Sequence, residues 1–322
     1  MTNQPPERIR VGTVATPALL AGGHEVAAPL LARAAETGLD HVFVADHVSF
    51  FVGTGMDGLM QAALIAGLEP SLEIVVGIYL LALRHPVPVA RQISTLCQAA
   101  PGRLVLGVGV GGEDRHEIEV CGVDPSTRGA RTDSCLEVLR ELLAGKPTTH
   151  AGPFFEFEDA LILPAPVPEV PILVGGRSEA AIHRAGRHSE GWLATWVSPT
   201  RYGTATQQVE AMAVEAGRDV ERWEHGLQIW VGVDADRARA RARLARGMEN
   251  MYRIPFESFE RYSPYGSPAE IADFLAPYAE AGCTRFNIMP VASSPQYEVE
   301  AVAEIRERLL NGAQYPNTQR ET

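Results

Sequence analysis

The stretch RLVLGVGVGGEDRHE, residues 103–117, decides between two folds. Its glycines from Gly107 to Gly112 follow an apolar run and spell the G-x-G-x-x-G pattern of a dinucleotide-binding fold. That fold needs a helix starting at the third glycine and an acidic residue closing the next strand. Gly122 and Pro125 interrupt the segment that follows, and the acidic residue at the required distance lies in a helical pattern. The sequence therefore favours another α/β fold for these glycines.

A helical pattern that ends at a glycine and is followed by a short apolar strand recurs along the chain. It occurs at 25–46, 87–109 and 267–289. In the last of these, Ser267 and Glu270 form the capping box that marks a helix start. Strands that alternate with helices predict a parallel sheet. The predicted strands cover 8–14, 41–45, 73–80, 103–110, 170–175, 191–196, 226–233 and 284–289.

Eight such units predict a (β/α)8 TIM barrel, an α/β fold, over a single domain of residues 1–322. Two long connections are predicted insertions. Residues 145–169 are rich in proline and aromatic residues and predict a hairpin or an extended excursion. Residues 248–266 carry five aromatic side chains, which fit either a helix packed on the barrel exterior or a lid over a pocket.

Composition narrows the classes of function. The chain is 46% hydrophobic and has a net charge of −12, which argues against nucleic-acid or anionic-membrane binding. No apolar segment is long enough for a membrane span, and the N-terminal sequence lacks the apolar core of a signal peptide. The four cysteines form no C-x-x-C pair and the histidines form no H-E-x-x-H motif. We expect a cytoplasmic protein without a bound metal.

Polar residues follow the predicted second and third strands, at the barrel end where active sites of this fold are built. Asp46 and His47 form a candidate acid/base or cofactor-orienting pair, although adjacent strand residues point to opposite faces. The alternative is a structural hydrogen bond from one of them to a loop. Arg84 follows the third strand and is expected to form an ion pair with a neighbouring carboxylate.

Glycine turns follow the predicted fourth and fifth strands. Gly111 and Gly112 are expected to leave room for a ligand, whereas Gly107 and Gly109 are expected to serve tight packing of the wall. After the fifth strand, the turn Gly175-Gly176-Arg177-Ser178 leads into a helix. Amides at such a helix start, with the charge of Arg177, predict a phosphate site, and the alternative is an ordinary turn capped by Ser178.

These pieces together resemble the bacterial luciferase-like flavin and deazaflavin oxidoreductases. The resemblance implies a barrel that binds FMN or the deazaflavin coenzyme F420 at the strand ends, with the phosphate at Gly175–Ser178. It also implies a bulge with a non-proline cis peptide at Gly77-Ile78, behind the cofactor ring, and a homodimer. The segments that carry it are FVADH (43–47), LRHPVPVARQISTLCQAAPGRLVLGVGVGGE (83–113), RGARTDSCLEVLRELLAG (128–145), VPILVGGRSEAAIHRAGRHSEGW (170–192) and GSPAEIADFLAPYAEAGCTRF (266–286).

Within this family, Asp46-His47 looks like the pair that lies by the ring in the deazaflavin branch. The resemblance therefore implies an F420-dependent oxidoreductase that transfers a hydride to or from a small organic substrate. His47 is the candidate general acid/base, Asp46 orients it or the ring, and Glu113 is a second candidate acid, one position later than in sugar-phosphate members. Tyr252 and Phe256 are candidate substrate contacts.

Two other functions stay open at this point. One is an FMN-dependent monooxygenase that receives reduced flavin from a partner reductase. The other is a barrel that binds a phosphorylated ligand without turning it over; the presence of both Asp46 and His47 argues against it.

Overall fold

The computed structural model describes residues 9–51, 53, 55–112 and 114–314. Parallel strands alternate with helices, as the sequence predicts, and eight parallel strands form a closed (β/α)8 barrel. The strands are β1 Arg10–Val14, β2 His41–Val44, β3 Glu73–Tyr79, β4 Leu104–Val108, β5 Thr148–Ala151, β6 Glu156–Ala160, β7 Ile172–Gly175, β8 Trp192–Ala194, β9 Gly226–Val233, β10 Tyr265–Gly266 and β11 Arg285–Val291. The helices are α1 Thr16–Glu36, α2 Gly58–Leu68, α3 Pro86–Ala99, α4 Arg115–Val120, α5 Arg128–Leu143, α6 Glu179–His188, α7 Pro199–Glu215, α8 Arg237–Tyr252, α9 Pro268–Glu280 and α10 Pro295–Gln314.

The chain divides into two compact units. The first comprises 1–42, 194–208 and 224–322, and the second comprises 43–193 and 209–223. In the first unit β10, β9, β11 and β1 pair in parallel in that order. In the second unit β3, β4, β7 and β8 do the same. All eight predicted strands are present, and their ends differ from the predicted ones by at most a few residues.

Helix ends follow the predicted local chemistry. Ser267 and Glu270 form the capping box of α9, with each side chain bonded to the other residue's backbone amide. Gly38, Gly102 and Gly282 follow helices with positive φ angles of 80°, 69° and 94°. Glycine adopts these angles without a steric penalty, so these residues end the helices and turn the chain toward the next strand.

Both long connections are ordered. The predicted excursion at 145–169 forms the antiparallel hairpin of β5 and β6. The segment 248–266 completes α8, passes through two 3-10 turns at Phe256–Ser258 and Glu260–Tyr262, and ends in β10. Phe256 and Phe259 of this segment pack with Leu244 and Met248 in a small apolar core, and the choice between a helix on the barrel exterior and a lid over a pocket stays open.

The glycines of the opening motif make room for one side chain. The register between β3 and β4 shifts between Val76 and Tyr79, which confirms the bulge, and the Gly77-Ile78 peptide is cis, as the family resemblance implies. A Cβ on Gly109 would lie 1.8 Å from Cδ1 of Ile78. A Cβ on Gly107 would lie 2.5 Å from the carbonyl oxygen of Val76. Tight packing therefore explains both glycines.

Replacement of these two glycines by alanine is expected to destabilise the protein to different extents. Gly107→Ala meets backbone, which cannot move away, and we expect a loss of about 2 kcal/mol in the free energy of unfolding. Gly109→Ala meets the end of the Ile78 side chain, so we expect a smaller loss that the added substitution Ile78→Val, which removes Cδ1, relieves. Urea denaturation of the single and double variants measures both effects.

Gly67→Ala is the matched control for this comparison. Gly67 lies on the exposed side of α2, and an added Cβ meets nothing within 4 Å. We expect a gain of about 0.5–1 kcal/mol from the lower backbone entropy of alanine. Equal losses for Gly107→Ala and Gly109→Ala, with no rescue by Ile78→Val, would contradict the packing explanation.

Candidate active site

The candidate site residues of the second unit follow the C-terminal ends of neighbouring parallel strands. Asp46 and His47 follow β2, Gly111 and Gly112 follow β4, and the turn Gly175–Ser178 follows β7. This end of the barrel is where (β/α)8 proteins build their active sites. Glu113, the second candidate acid, lies outside the described residues.

Asp46 is buried and its carboxylate accepts four hydrogen bonds from protein groups. Its carboxylate accepts from the amides of Gly58 and Leu80 at 2.8 Å each. The guanidinium of Arg84 donates to both carboxylate oxygens, also at 2.8 Å. Burial raises the pKa of Asp46, while Arg84 and the two amides oppose that shift. The expected ion pair of Arg84 is therefore confirmed. Of Asp46 and His47, Asp46 is the residue that makes structural hydrogen bonds to the backbone amides of Gly58 and Leu80.

Arg84 connects three segments through this carboxylate. Its Nη2 also donates to Asp57, which caps the N-terminus of α2, and its Nη1 donates to the carbonyl oxygen of Leu80. The guanidinium lies 4.3 Å from the centre of the Tyr79 ring. The loop after β2, the end of β3 and the start of α2 thus share the half-buried guanidinium of Arg84.

His47 has a different partner from its neighbour. Its Nδ1 lies 3.1 Å from Oε2 of Glu117, and its ring stacks on Phe50 at 4.0 Å. The side chain keeps 20% of its surface exposed, whereas that of Glu117 keeps 4%. A buried carboxylate next to a partly exposed imidazole is an arrangement that orients the ring and selects its tautomer.

Glu117 also holds the loop that carries His47. Its Oε1 accepts from the amides of Val48 and Ser49 at 2.7 and 3.1 Å. Burial alone would raise the pKa of Glu117, but the hydrogen bond and charge of His47 and the two amides outweigh it and lower the pKa below its ordinary value. Glu117 is therefore a carboxylate at neutral pH, with every contact directed at the loop after β2.

A second acid fastens the same two loops together. Asp114 caps α4 by accepting from the amide of His116, and its other oxygen accepts from the amide of Phe51 at 2.6 Å. The loops after β2 and β4 are thus joined by the side chains of Asp114 and Glu117. Neither residue was among the sequence candidates.

The glycines at the strand ends differ in how much space surrounds them. Gly111 and Gly112 have φ angles of 67° and 150°, and a Cβ on Gly112 would meet only the guanidinium of Arg128 at 3.8 Å. At the end of β7, a Cβ on Gly175 would lie 2.7 Å from Cγ2 of Ile78. Ile78 therefore packs against glycines from two neighbouring strands, β4 and β7.

The turn after β7 has the local structure that the sequence predicts. Gly176 has a φ of 123°, and Ser178 caps α6 by accepting from the amide of Ala181 at 3.2 Å. The indole nitrogen of Trp192 donates to the carbonyl oxygen of Gly176 at 2.6 Å. That carbonyl is thus bound from the β8 side, and the phosphate site at the start of α6 stays a prediction.

The candidate substrate contacts lie in the first unit and differ in exposure. Tyr252 is half-buried, accepts from the indole of Trp230 at 3.1 Å and packs edge-on against Trp196 at 5.2 Å. Phe256 has no exposed surface and packs with Leu244, Met248 and Phe259. The prediction of a substrate contact for Phe256 is therefore wrong, because its ring is enclosed by the core that supports the segment. The prediction for Tyr252 stays a prediction.

Two absences apply to the described part of the chain. No group of three or more histidine, cysteine, aspartate or glutamate side chains has a geometry that could hold a metal ion. None of the helices in that part combines the length and apolar character needed to cross a membrane.

Comparisons with known proteins place the chain among related sequences and folds. It is 34% identical to an uncharacterised protein of Mycobacterium tuberculosis over 43% of this chain, and it spans only about half (47%) of that relative's length. It is 27% identical to the F420-dependent glucose-6-phosphate dehydrogenase of Kribbella flavida over 79% of this chain and 84% of the relative. A solved F420-dependent secondary alcohol dehydrogenase superposes with a TM-score of 0.79 at 22% identity, covering 94% of this chain and 99% of that one.

A family model extends over most of the chain. The model described as luciferase-like monooxygenase matches residues 24–285, from the middle of α1 to the start of β11. This range contains every sequence candidate of the site, from Asp46 to Phe256. The chain therefore belongs to the luciferase-like monooxygenase family.

Proposed function

We propose that this protein is an F420-dependent oxidoreductase that transfers a hydride between the coenzyme and a small organic substrate. The single observation that carries the proposal is the His47–Glu117 pair, an oriented imidazole at the C-terminal end of β2 in a (β/α)8 barrel. The names of the Kribbella relative and of the superposed alcohol dehydrogenase, both F420-dependent, support this choice of coenzyme.

The residues present fit such a coenzyme. A flat ring needs backbone without side chains close by, and Gly112 provides it, because a Cβ there would meet only the guanidinium of Arg128, at 3.8 Å. The turn from Gly176 to Ser178 offers amides and the charge of Arg177 to the anionic end of the coenzyme. When bound there, F420 supplies a ring carbon that accepts or donates a hydride.

His47 is the proposed proton carrier. The ionised Glu117 accepts a hydrogen bond, so it favours the tautomer of His47 with hydrogen on Nδ1. That tautomer leaves Nε2 as the atom that accepts a proton from a substrate hydroxyl, or donates one to a carbonyl after protonation. A hydride removed from a carbinol carbon requires loss of the hydroxyl proton, and the reverse reaction requires its return. The same nitrogen serves both directions.

Asp46 has a supporting part in this proposal. Its carboxylate is already bound by Arg84 and two amides, so it fixes the backbone next to His47 and the end of β3. We propose that Glu117, not Asp46, orients the imidazole. Both residues act as positioning residues, and neither exchanges a proton with substrate.

Binding of the two candidate cofactors separates F420 chemistry from FMN chemistry. We expect the purified protein to bind F420 with a dissociation constant in the micromolar range or below, and FMN at least about tenfold more weakly. Spectral titration with each compound measures both constants. Tight FMN binding without F420 binding would instead support the FMN-dependent monooxygenase, and binding of neither would oppose both functions.

Substitution of the imidazole is expected to affect turnover and not cofactor binding. His47→Ala should lower kcat by about 10²- to 10⁴-fold, the usual contribution of a positioned acid/base, with an unchanged dissociation constant for F420. Glu117→Gln should lower kcat less, because the ring remains but its Nδ1 partner loses its charge. The assay follows F420 reduction with a substrate found among small alcohols, or oxidation of reduced F420 with aldehydes and ketones. Unchanged turnover of His47→Ala would remove it from the mechanism.

The stability that Glu117 contributes should depend on pH. A carboxyl whose pKa is lower in the folded than in the unfolded state stabilises the protein above its ordinary pKa of 4.5, and this contribution is lost as the pH falls through the lowered value. Glu117→Gln should therefore cost about 1–3 kcal/mol at pH 7, and the difference from the parent protein should shrink below pH 4.5. Urea denaturation over a pH series measures it.

Glu119→Gln, on the exposed side of α4, is the matched control. It removes the same charge from the same helix and should change neither the stability nor its pH dependence. A difference for Glu117→Gln that is the same at all pH values would show that its bonds do not require the charge.

A further inference from the structure

Two arginines near the start of α5 have no acidic partner among the residues that the structure describes. Arg128 donates through Nη1 to the carbonyl oxygen of Pro125, and its Nε is buried without a hydrogen-bond partner among the described residues. Arg131 donates through Nε to the carbonyl oxygen of Ala82, and its guanidinium lies 4.4 Å from the centre of the Phe155 ring. Residues three apart on a helix are surface neighbours, so the two cations share one face of α5.

This lack of acids is unusual in a chain with a net charge of −12. Other arginines of similar burial in the second unit are paired: Arg84 with Asp46, Arg103 with Glu69 and Arg184 with Asp133. Within the described ranges, no carboxylate oxygen lies within 4.0 Å of the guanidinium of Arg128 or Arg131. A partly buried cation without an anion is costly unless a ligand supplies the anion.

Both arginines face strand ends on the candidate active-site side. The Nη2 of Arg128 lies 3.8 Å from the position that a Cβ of Gly112 would take, in the turn after β4. Ala82, the partner of Arg131, lies in the 3-10 turn after β3. Arg184 of α6 donates to the carbonyl oxygen of Gly129, so the start of α5 packs against the helix that follows the Gly175–Ser178 turn.

We propose that Arg128, reinforced by the charge of Arg131, binds an anionic group of the ligand, a carboxylate or a phosphate, beside the Gly112 turn. The guanidinium of Arg128 is a planar fork that suits the two oxygens of such a group, and its Nη2 lies next to the Gly112 turn. The open backbone of Gly112 leaves space for it. The anion has two possible sources, the coenzyme and the substrate. The choice of probes rests on the proposed function.

The first experiment compares F420 with its ring-bearing fragment FO, which lacks the phosphodiester and the glutamate tail. Fluorescence titration gives the dissociation constants of both for the parent protein and for Arg128→Ala. If the anion belongs to the coenzyme, Arg128→Ala weakens F420 binding by about 10- to 100-fold and leaves FO binding unchanged. Arg128→Lys keeps the charge without the fork. Its affinity for F420 should lie between those of the parent protein and Arg128→Ala.

The second experiment tests the substrate as the source. Saturation-transfer NMR on the F420-loaded protein compares benzoate with benzamide, which has the same shape and no charge. If the anion belongs to the substrate, the parent protein binds benzoate in preference to benzamide, Arg128→Ala loses this preference, and F420 binding is unaffected. If Arg128→Ala changes neither F420 binding nor the benzoate preference, the inference is wrong.

Controls keep the outcome separate from folding and from the proposed function. Arg187→Ala removes the same charge from the exposed last turn of α6 and should leave all four affinities unchanged. An unchanged melting temperature shows that Arg128→Ala is folded, and Arg128→Gln replaces it if it is not. If the parent protein binds neither F420 nor FO, the proposed function fails. The contrast between FMN and riboflavin, which differ by one phosphate, then tests Arg128 in the same way.

Discussion

The carboxylate of Asp46 fixes the part of the barrel on which the candidate site depends. It follows β2 and accepts from the amide of Leu80, at the end of β3, and from the amide of Gly58, at the start of α2. Arg84 closes the arrangement by bonding to both carboxylate oxygens. A buried carboxylate with four donors is stable in place, and removal of any donor leaves a polar group without compensation. The position of the loop after β2, which carries His47, depends on these bonds to Asp46.

The strands and helix ends could be predicted because local sequence determines them. Apolar runs of strand length, glycines with positive φ and the capping box of Ser267 and Glu270 each act within a few residues. The bulge at Ile78 was predicted from the family resemblance alone. The structure shows how the Ile78 side chain is accommodated. Gly109 and Gly175 come from different strands, and both leave space for that single side chain.

The pairing of the acids could not be predicted, because it depends on contacts between residues far apart in sequence. Glu117 reaches His47 across 70 residues, and Arg84 reaches Asp46 across 38. The sequence places Asp46 beside His47 and suggests that they act together. Alternation along an extended chain sends neighbouring side chains to opposite sides, which is the reason they bind different partners. Phe256 failed as a substrate contact for a related reason: aromatic composition does not distinguish a lid from the core beneath it.

The separation of the two acids has a consequence for the chemistry. Asp46 joins the ends of β2 and β3 and must stay ionised for that task, whereas a carboxylate that supports an acid/base must respond to the charge of the imidazole. If Asp46 did both, each protonation of His47 would disturb the bonds that join β2 to β3. Because Glu117 and not Asp46 lies against the imidazole, the proposed gain and loss of a proton by His47 would leave the bonds between Asp46, Arg84 and the strand ends in place. The arrangement thus separates the bonds that join the ends of β2 and β3 from the proton transfers proposed for His47.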